Sequence, residues 1–347
     1  MLAAAGCNDY DCDDLCVDHV TDVDHRDPQI ATASGRTLIA WTSAGGVDGR
    51  WLDEADAQTL VERVDGRPFA MATDGRDALI GWEDSAGRLD VQLASAAAPT
   101  ALASLHEHLG VAQLAMAFDG SGYVVAWVDD SRLNVARVGS DGAVLESQPL
   151  ATEAVTVAMS VDAAGAVLAW TDPTARAIVG RTAGLPVHAV EGGQGAAVSC
   201  GAAGCVLATA VSSSDVTVER LDAQLQPIGA ATIHAGTRLG HLAVAGSPAH
   251  HAIAWFVEDD SGVTSTLLAQ VFDGTYGPTQ VLAPSPPLPG EQLILPGDLA
   301  SAEHDGTLDV VWATDSERAT TDAVHSRYEL VRTSLQHEGH TPPATFE

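Results

Sequence analysis

The sequence predicts an all-β fold, a seven-bladed β-propeller of four-stranded antiparallel blades, on three observations. A unit made of a small-residue strand, a Gly turn and an apolar strand ending in Ala-Trp or its equivalent returns seven times. Short strands that repeat about every 40–45 residues are typical of propellers. The 33 Gly residues and an aromatic content of only 5% suit many short strands joined by tight turns. The seven units end at Trp41, Trp82, Trp127, Trp170, Thr209, Trp255 and Trp312.

Each unit is predicted to contribute four strands, as the second unit illustrates. Residues 69–73 would form its inner strand, 78–82 its second, 89–94 its third and 100–105 its outer strand. Ala-rich inner strands suit the crowded positions nearest the axis, where the blades converge. We expect the Trp that ends each second strand to be a core residue between neighbouring blades rather than a ligand-stacking one.

Composition shifts divide the chain into three predicted parts. Residues 1–27 would be a lipobox-like start and an Asp-rich tether, with a possible closing strand near 17–23. Residues 28–335 would form the propeller and 336–347 a polar tail. The proline-rich stretch 283–298 is predicted to be a semi-rigid loop before the seventh unit, because proline cannot donate to a strand ladder.

The first seven residues resemble the end of a bacterial lipoprotein signal peptide, in which small residues precede a cysteine that becomes acylated. This predicts a lipid anchor on Cys7. No basic region and almost no apolar segment precede it, so we expect the true start to lie upstream of Met1.

The other four cysteines form two local pairs, Cys12 with Cys16 and Cys200 with Cys205, and each pair is predicted to be a disulfide. Cys200 and Cys205 flank a Gly turn, where opposed residues of an antiparallel pair come within disulfide range. They belong to the unit in which Thr209 replaces the Trp. Half of a zinc site is the alternative, although no second Cys or Cys-His pair lies nearby at zinc spacing. Disulfides imply an oxidising compartment.

The formal net charge is −31, and all 16 basic residues are Arg. Such an excess of negative charge repels nucleic acid and anionic headgroups, so we expect no nucleic-acid partner and membrane contact only through a lipid anchor. It favours cations and cationic partners. The alternative is that the charge serves only solubility.

Acidic residues recur just after the second strands, where turns to the third strands are predicted. Together with two histidines of a connection between blades, they would form a ring around one mouth of the channel. This is the candidate ligand or cation face, with Ca²⁺ as the possible ion. The alternative is ordinary turn acids, since Asp caps its own backbone, and no calcium-loop pattern is present. The candidates are Glu83, Asp84, Asp129, Asp130, Asp172, Asp215, Glu258, Asp259, Asp260, Asp315, His106 and His108.

Known catalytic motifs are absent from the sequence: there is no G-x-S-x-G, no H-E-x-x-H and no P-loop. His250 and His251 are predicted to be surface residues of a turn. We therefore predict a binding or scaffold module without a cofactor. The alternative is a carbohydrate hydrolase or lyase that uses carboxylates near the channel mouth, such as Asp129 and Glu258.

The whole chain resembles a group of propeller lipoproteins from myxobacteria and their relatives. The lipobox-like start, the Asp-rich leader, the repeated Asp-Gly to Ala-Trp units and the Cys200-x4-Cys205 hairpin carry the resemblance, which covers residues 7 to 335 or so. It implies an outer-membrane or periplasmic location and no known reaction. The expected protein is an exported, lipid-anchored monomer whose acidic face engages a protein, a glycan or a cation at the cell envelope.

Overall fold

Short β-strands joined by tight turns make up the residues that the structure describes. In a computed structural model of the chain, these residues run from 26 to 335 except for 44–45, 54–57, 63–68, 85, 95–102, 107–110, 152, 183–185, 192, 194, 237–238, 259–264, 282–290, 295–298, 305–306 and 320–323. Within them every regular element is a strand, and the strands of each sheet pair antiparallel. The all-β prediction is confirmed.

Six sheets share one build, in which four consecutive strands pair in order from the channel outwards. Blade 1 comprises β1 (Arg26–Ala33), β2 (Arg36–Ser43), β3 (Gly46–Trp51) and β4 (Gln58–Glu62). Blade 2 comprises β5 (Phe69–Thr73), β6 (Ala78–Glu83), β7 (Leu89–Ala94) and β8 (Ala103–His106). Blade 3 comprises β9 (Val111–Phe118), β10 (Tyr123–Asp129), β11 (Arg132–Val138) and β12 (Val144–Ala151).

The next three blades continue the pattern. Blade 4 comprises β13 (Thr156–Asp162), β14 (Gly165–Thr171), β15 (Ala177–Arg181) and β16 (Pro186–Val190). Blade 5 comprises β17 (Ala196–Gly201), β18 (Gly204–Ala210), β19 (Asp215–Leu221) and β20 (Pro227–His234). Blade 6 comprises β21 (Leu239–Gly246), β22 (His250–Glu258), β23 (Ser265–Asp273) and β24 (Gln280–Val281).

The seventh sheet is built differently. Its strands are β25 (Glu291–Ile294), β26 (Leu299–His304), β27 (Thr307–Ala319) and β28 (Val324–Leu335). Both β25 and β26 pair with one edge of β27, one after the other, and β28 pairs with its other edge. The sheet is therefore only three strands wide.

The prediction of seven four-stranded blades is wrong, because six sheets have that build and the seventh does not. The physical reason lies in β27, which continues to Ala319 instead of turning soon after Trp312. The extension needs its own partner, and β25 supplies it. The stretch 283–298, predicted to be a loop, contains this strand.

A ring of seven inner strands surrounds the channel. β1, β5, β9, β13, β17, β21 and β26 each lie beside the next, and β26 lies between β21 and β1. In blade 2, β5 and β7 have the predicted bounds, and β6 runs one residue further, to Glu83. The outer strand β8 covers Ala103–His106 instead of the predicted 100–105.

Apolar layers between neighbouring blades form the core. Between blades 3 and 4, for example, Val124 and Leu133 pack with Leu168 and Trp170. Burying each such side chain stabilises the fold by about 1.5–3 kcal/mol. As predicted, the second strands carry buried Trp side chains, each at most 5% exposed, at Trp41, Trp82, Trp127, Trp170 and Trp255. The side chain of Trp312 lies outside those that the structure describes.

Gly81 shows why one second strand lacks the usual Ala before its Trp. A Cβ at Gly81 would lie 3.0 Å from the Sδ of Met116, which comes from the neighbouring inner strand. The missing methyl group leaves the space that this larger side chain fills.

Candidate functional site

One face of the propeller carries the turns between second and third strands together with the connections between blades. We call it the 2–3 face, and the opposite one, with the turns between first and second strands, the 1–2 face. Hydrogen bonds join the two kinds of segment. Ala154 N donates to Ser131 O at 2.9 Å, and Ala235 N donates to Ser214 O at 2.7 Å. Within the described residues, the candidate acids Glu83, Asp84, Asp129, Asp130, Asp172 and Asp215 therefore belong to one face.

Asp84 is bound by its own turn. Its Oδ1 accepts hydrogen bonds from the backbone N–H of Ala86 and Arg88, at 2.9 and 2.8 Å. Its Oδ2 accepts from Nε and Nη2 of Arg88, at 2.8 and 2.6 Å. The backbone N–H and then the guanidinium of Arg88 lower the pKa of Asp84.

Asp172 repeats this arrangement in blade 4, with its side chain only 1% exposed. Its carboxylate accepts hydrogen bonds from Thr174 and from both the backbone and the guanidinium of Arg176. Burial alone would raise the pKa of Asp172, but these hydrogen bonds outweigh it and lower the pKa to about 2. Both acids act as turn caps, the alternative that the sequence left open.

The two-residue turn between β10 and β11 presents Asp130 to solvent. Asp130 and Ser131 have φ values of 45° and 61°, the left-handed conformation of a type I′ turn, while Asp129 pairs with Arg132 at the strand ends.

Asp215 in blade 5 accepts hydrogen bonds from His234 Nδ1 and from two serine hydroxyls, each at 2.9 Å. These contacts, the one with His234 first, lower its pKa.

The remaining candidates are placed only in part. Glu83 ends β6 on the 2–3 face, and the backbones of Glu258 and His106 end β22 and β8 there. Asp315 is not in a turn: it lies within β27, paired with Ile294 and Tyr328, which corrects the prediction. The candidates outside the described residues are Asp259, Asp260, His108, Cys7, Cys12 and Cys16.

The described residues contain no group of three or more His, Cys, Asp or Glu side chains arranged to hold a metal ion. The acids of the 2–3 face are instead separated from blade to blade, and several are bound by their own turns.

Within the described part of the chain, no helix is long and apolar enough to cross a membrane.

The central channel is the second candidate feature, with a volume of about 540 Å³. Residues of all seven inner strands line it. Three of the chain's four methionines do so from equivalent positions, since Met71, Met116 and Met159 pair with Ile80, Val125 and Leu168 of successive second strands. The side chains of Met71 and Met116 are buried, at 5% and 8% exposed, and belong to the apolar core between blades.

Hydroxyl groups line the channel nearer the 1–2 face, and most tie neighbouring segments together. Thr73 Oγ1 donates to Asp77 O at 2.8 Å, and Ser199 Oγ donates to Gly246 O at 2.9 Å. Ser160 Oγ accepts from the backbone N–H of Cys200 at 2.9 Å. Glu303 is the one ionisable side chain among the described lining residues, and it is exposed.

The predicted disulfide between Cys200 and Cys205 is confirmed. The two residues pair directly across β17 and β18, with their Cα atoms 4.0 Å apart. Cys205 is fully buried, while Cys200 lines the channel beside the 1–2 face. The disulfide crosslinks the two strands of the hairpin, and the second of these strands has Thr209 in place of the Trp.

His251 contradicts the prediction of a surface residue, because it is fully buried. Its Nδ1 lies 3.1 Å from Ser247 O and its Nε2 lies 3.0 Å from Tyr276 Oη. Its ring stacks on Phe272 at 4.6 Å between centroids. Burial lowers the pKa of His251 to about 4. The missed signal was alternation, since His251 lies on the same side of β22 as Ile253 and Trp255.

Comparison with solved structures supports the propeller fold. The structure of the Dos1 propeller matches with a TM-score of 0.55 and 10% identity over 92% of this chain and 94% of that chain. The β-propeller domain of the Trilobed protease from Pyrococcus furiosus matches with 0.52 and 9%, over 88% and 93%. A prolyl endopeptidase structure matches with 0.53 and 10% over 89% of this chain, which spans 50% of that chain. No protein-family model and no curated protein matches. At these identities the likeness shows the fold alone.

Proposed function

We propose that the chain is a non-catalytic binding module of the bacterial cell envelope, which engages a basic segment of a partner protein through the 2–3 face. The observation that carries this proposal is a group of three acids around one arginine in blade 4. Arg176 is held by Asp172, and its pKa is raised first by that hydrogen bond and also by the charges of Glu191 and Glu153. Both glutamates are exposed.

This acidic patch, defined as Glu153, Asp172 and Glu191 around Arg176, carries an excess of negative charge. Asp130 extends it, because its turn is joined to the connection that contains Glu153 through the hydrogen bond from Ala154 to Ser131. Exposed carboxylates with one shared arginine attract a second cation more strongly than paired ones do, and they speed its association at low salt.

The channel favours a binding role over the hydrolase alternative. Glycoside hydrolysis needs two carboxyl groups that flank the scissile bond, about 5–9.5 Å apart. Among the described lining residues, Glu303 is the one carboxylate, and neither Arg nor His accompanies it. Of the pair suggested for catalysis, Asp129 ends a strand on the 2–3 face and the side chain of Glu258 lies outside those described.

Export and lipid anchoring are part of the proposal. The Cys200–Cys205 disulfide supports an oxidising compartment, and the lipobox-like start supports acylation of Cys7. In a bacterium expressing the gene with its upstream region, Cys7→Ser should move the protein from the membrane fraction to the soluble fraction. An unchanged membrane fraction would overturn the anchor.

Neutralising the acidic patch tests the proposed face. The triple variant Asp130→Asn, Glu153→Gln, Glu191→Gln should bind a short peptide of alternating lysine and serine at least about fivefold more weakly at low ionic strength. Fluorescence anisotropy measures the affinity.

A matched variant separates the face from the overall charge. Asp141→Asn, Glu146→Gln and Asp273→Asn remove the same three charges from exposed positions away from the 2–3 face. We expect this variant to change the affinity less than about twofold. Equal weakening by both variants would show that the peptide responds to net charge and not to this face.

A further inference from the structure

We propose that the outer edge of β20 binds an extended segment of a partner protein as an added strand, with an acidic side chain of that segment on Arg220. This proposal goes beyond the proposed function, which concerns the 2–3 face and a basic segment. Two independent observations carry it. One is an outer strand without protecting charges, and the other is an arginine beside it that lacks a carboxylate partner.

β20 is an edge strand without the usual protection against pairing. Among the described strands, only β19 pairs with it, so its other edge is open. None of its residues from Pro227 to Ile233 is ionisable, and Ile228 is 55% exposed. Edge strands usually carry charges or internal prolines, as the equally long β12 does with Glu146 and Pro149. The edge of β20 can therefore accept a further strand through backbone hydrogen bonds.

Arg220 differs from the arginines at the same position of the two preceding blades. In blade 3, Arg137 pairs with Asp119 at 2.9 Å. In blade 4, Arg181 pairs with Asp162 at 2.6 Å. Both acids lie where the first strand turns into the second. The three arginines are equivalent because each pairs with a valine of its second strand: Val124, Val167 and Val206.

In blade 5 a glycine replaces this acid. Gly201 has the strand position of Asp162. A Cβ at Gly201 would lie 2.9 Å from the Cβ of Ser247 in blade 6, so the neighbouring blade fills the space that a side chain would need. In the described part of the chain, Arg220 consequently forms no ion pair.

The guanidinium of Arg220 lies against β20 and blade 6 instead. Its Cζ is 4.8 Å from the ring centroid of Phe272, which is buried. Gly229 of β20 pairs with Arg220, and a Cβ at Gly229 would lie 3.2 Å from the same Cζ. The guanidinium thus takes the place of the side chain that Gly229 lacks, and Arg220 remains partly exposed.

This position lets an added strand reach the guanidinium. Directly opposed residues of neighbouring strands have Cβ atoms about 4.5–5.5 Å apart and point to the same side of the sheet. An Asp or Glu opposite Gly229 can therefore form bidentate hydrogen bonds with Arg220. A short segment suits the site better than a second copy of the chain, because two chains of net charge −31 repel each other.

Two capped peptides test the proposal: Thr-Val-Thr-Glu-Thr-Val-Thr and the same peptide with Gln in place of Glu. They are titrated into the full chain by calorimetry at physiological ionic strength, which screens long-range repulsion. The Glu peptide should bind at least about fivefold more tightly, because only a carboxylate forms charge-assisted hydrogen bonds with the guanidinium. Arg220→Gln should remove this preference. Arg76→Gln, which removes an exposed arginine from another turn, should preserve it.

A third peptide and a second variant test the location. Methylation of the backbone nitrogens of the Glu and of the next Thr blocks N–H groups on both edges of the peptide, so it should abolish binding. Gly229→Ala should displace the guanidinium and weaken the preference for Glu, while the far-UV circular dichroism stays that of the parent. If this variant does not fold, the comparison of Arg220→Gln with Arg76→Gln decides alone.

Four results would overturn the proposal: no binding of either peptide, equal affinity for both, full binding of the methylated peptide, or equal effects of Arg220→Gln and Arg76→Gln. Sedimentation of the free chain adds a fifth. A dimer that the Glu peptide does not dissociate would show that a second copy occupies the edge.

Discussion

His251 is a neutral side chain held inside blade 6, and it makes stability depend on pH. Its folded pKa of about 4 lies below the usual value of 6.5, because burial disfavours the charged form. The unfolded chain therefore binds the proton more readily. Stability that is full at pH 7 should fall as the pH drops from about 6.5 to 4, by about 3 kcal/mol in total.

Chemical denaturation between pH 7 and 4 checks this, with His251→Gln expected to flatten the slope in that window. His250→Gln is the matched control, since its side chain lies on the opposite side of the same strand and is partly exposed. It should keep the slope. Asp84 and Asp172 act at lower pH, because their lowered pKa values affect stability only below about 3.8. Equal slopes for parent and His251→Gln would contradict the prediction.

Asp90 is a buried carboxyl group that we expect to weaken the fold. It is 2% exposed, and its Oδ1 has no hydrogen-bond partner in the described part of the chain. Burial raises its pKa, although a hydrogen bond with Ser104 and the charge of Arg88 oppose the shift. The ionised group is thus unfavourable in the folded state at neutral pH, and protonation removes this penalty for burying a charge.

The variant Asp90→Asn should therefore be more stable than the parent at pH 7, by about 0.5–2 kcal/mol. The gain should vanish towards pH 3, where both side chains are neutral. Blade 3 has an asparagine at the equivalent position, because Asn134 pairs with Trp127 as Asp90 pairs with Trp82. Thermal melting measures the difference, with Asp141→Asn as the exposed control. A less stable Asp90→Asn at pH 7 would show that the carboxylate is needed.

The sequence alone did not predict the surroundings of these single residues. The turn-capping role of Asp84 and Asp172 was one of two open alternatives, because an Asp followed by an Arg four residues later does not reveal which bond forms. His251 contacts Tyr276, 25 residues later in the chain, and Asp90 pairs with Trp82 and Ser104 of the strands on either side. Neither contact is visible in the local sequence.

At the scale of elements, the hairpin of β17 and β18 replaces an aromatic side chain with a covalent bond. Reduction or the pair Cys200→Ala, Cys205→Ala should destabilise the fold by about 2 kcal/mol, the value for so short a loop. Thermal melting of the double variant with and without reductant checks this. With reductant, the parent should have the melting temperature of the variant. Reductant should not change the melting temperature of the variant. Equal melting of parent and variant without reductant would contradict a stabilising role.

The strand pattern of six blades was predictable because each second strand meets a turn residue soon after its Trp. Trp82 is followed by Asp84 and Gly87, and Trp170 by Asp172 and Pro173. The stretch after Trp312 contains Asp315 and Ser316, the residue types that form the turn at 130–131 in blade 3, yet β27 continues through it to Ala319. The long interval before Trp312 indicated an irregular unit, but it did not predict a sheet of four strands that is only three strands wide.

At the scale of the whole molecule, the ring of inner strands closes where the seventh sheet meets blade 1. Each regular blade ends in an outer strand whose chain passes on to the next inner strand. The seventh sheet has no strand on the outer edge of β28 among the described residues, and β1 follows it in the ring. The segment predicted to close the ring, near residues 17–23, lies outside the described residues.

By the same path, the chain that leads into β1 would come from the outer edge of the seventh sheet. We therefore expect deletion of residues 8–24 to remove about 2–4 kcal/mol and to lower the melting temperature by several degrees. Deletion of residues 336–347 is the matched control and should have little effect, since two prolines interrupt that stretch. If the second deletion lowers the melting temperature and the first does not, the C-terminal tail covers β28 instead. An unpaired edge twelve residues long would otherwise invite pairing between molecules, so aggregation of the destabilised variant should accompany its lower melting temperature.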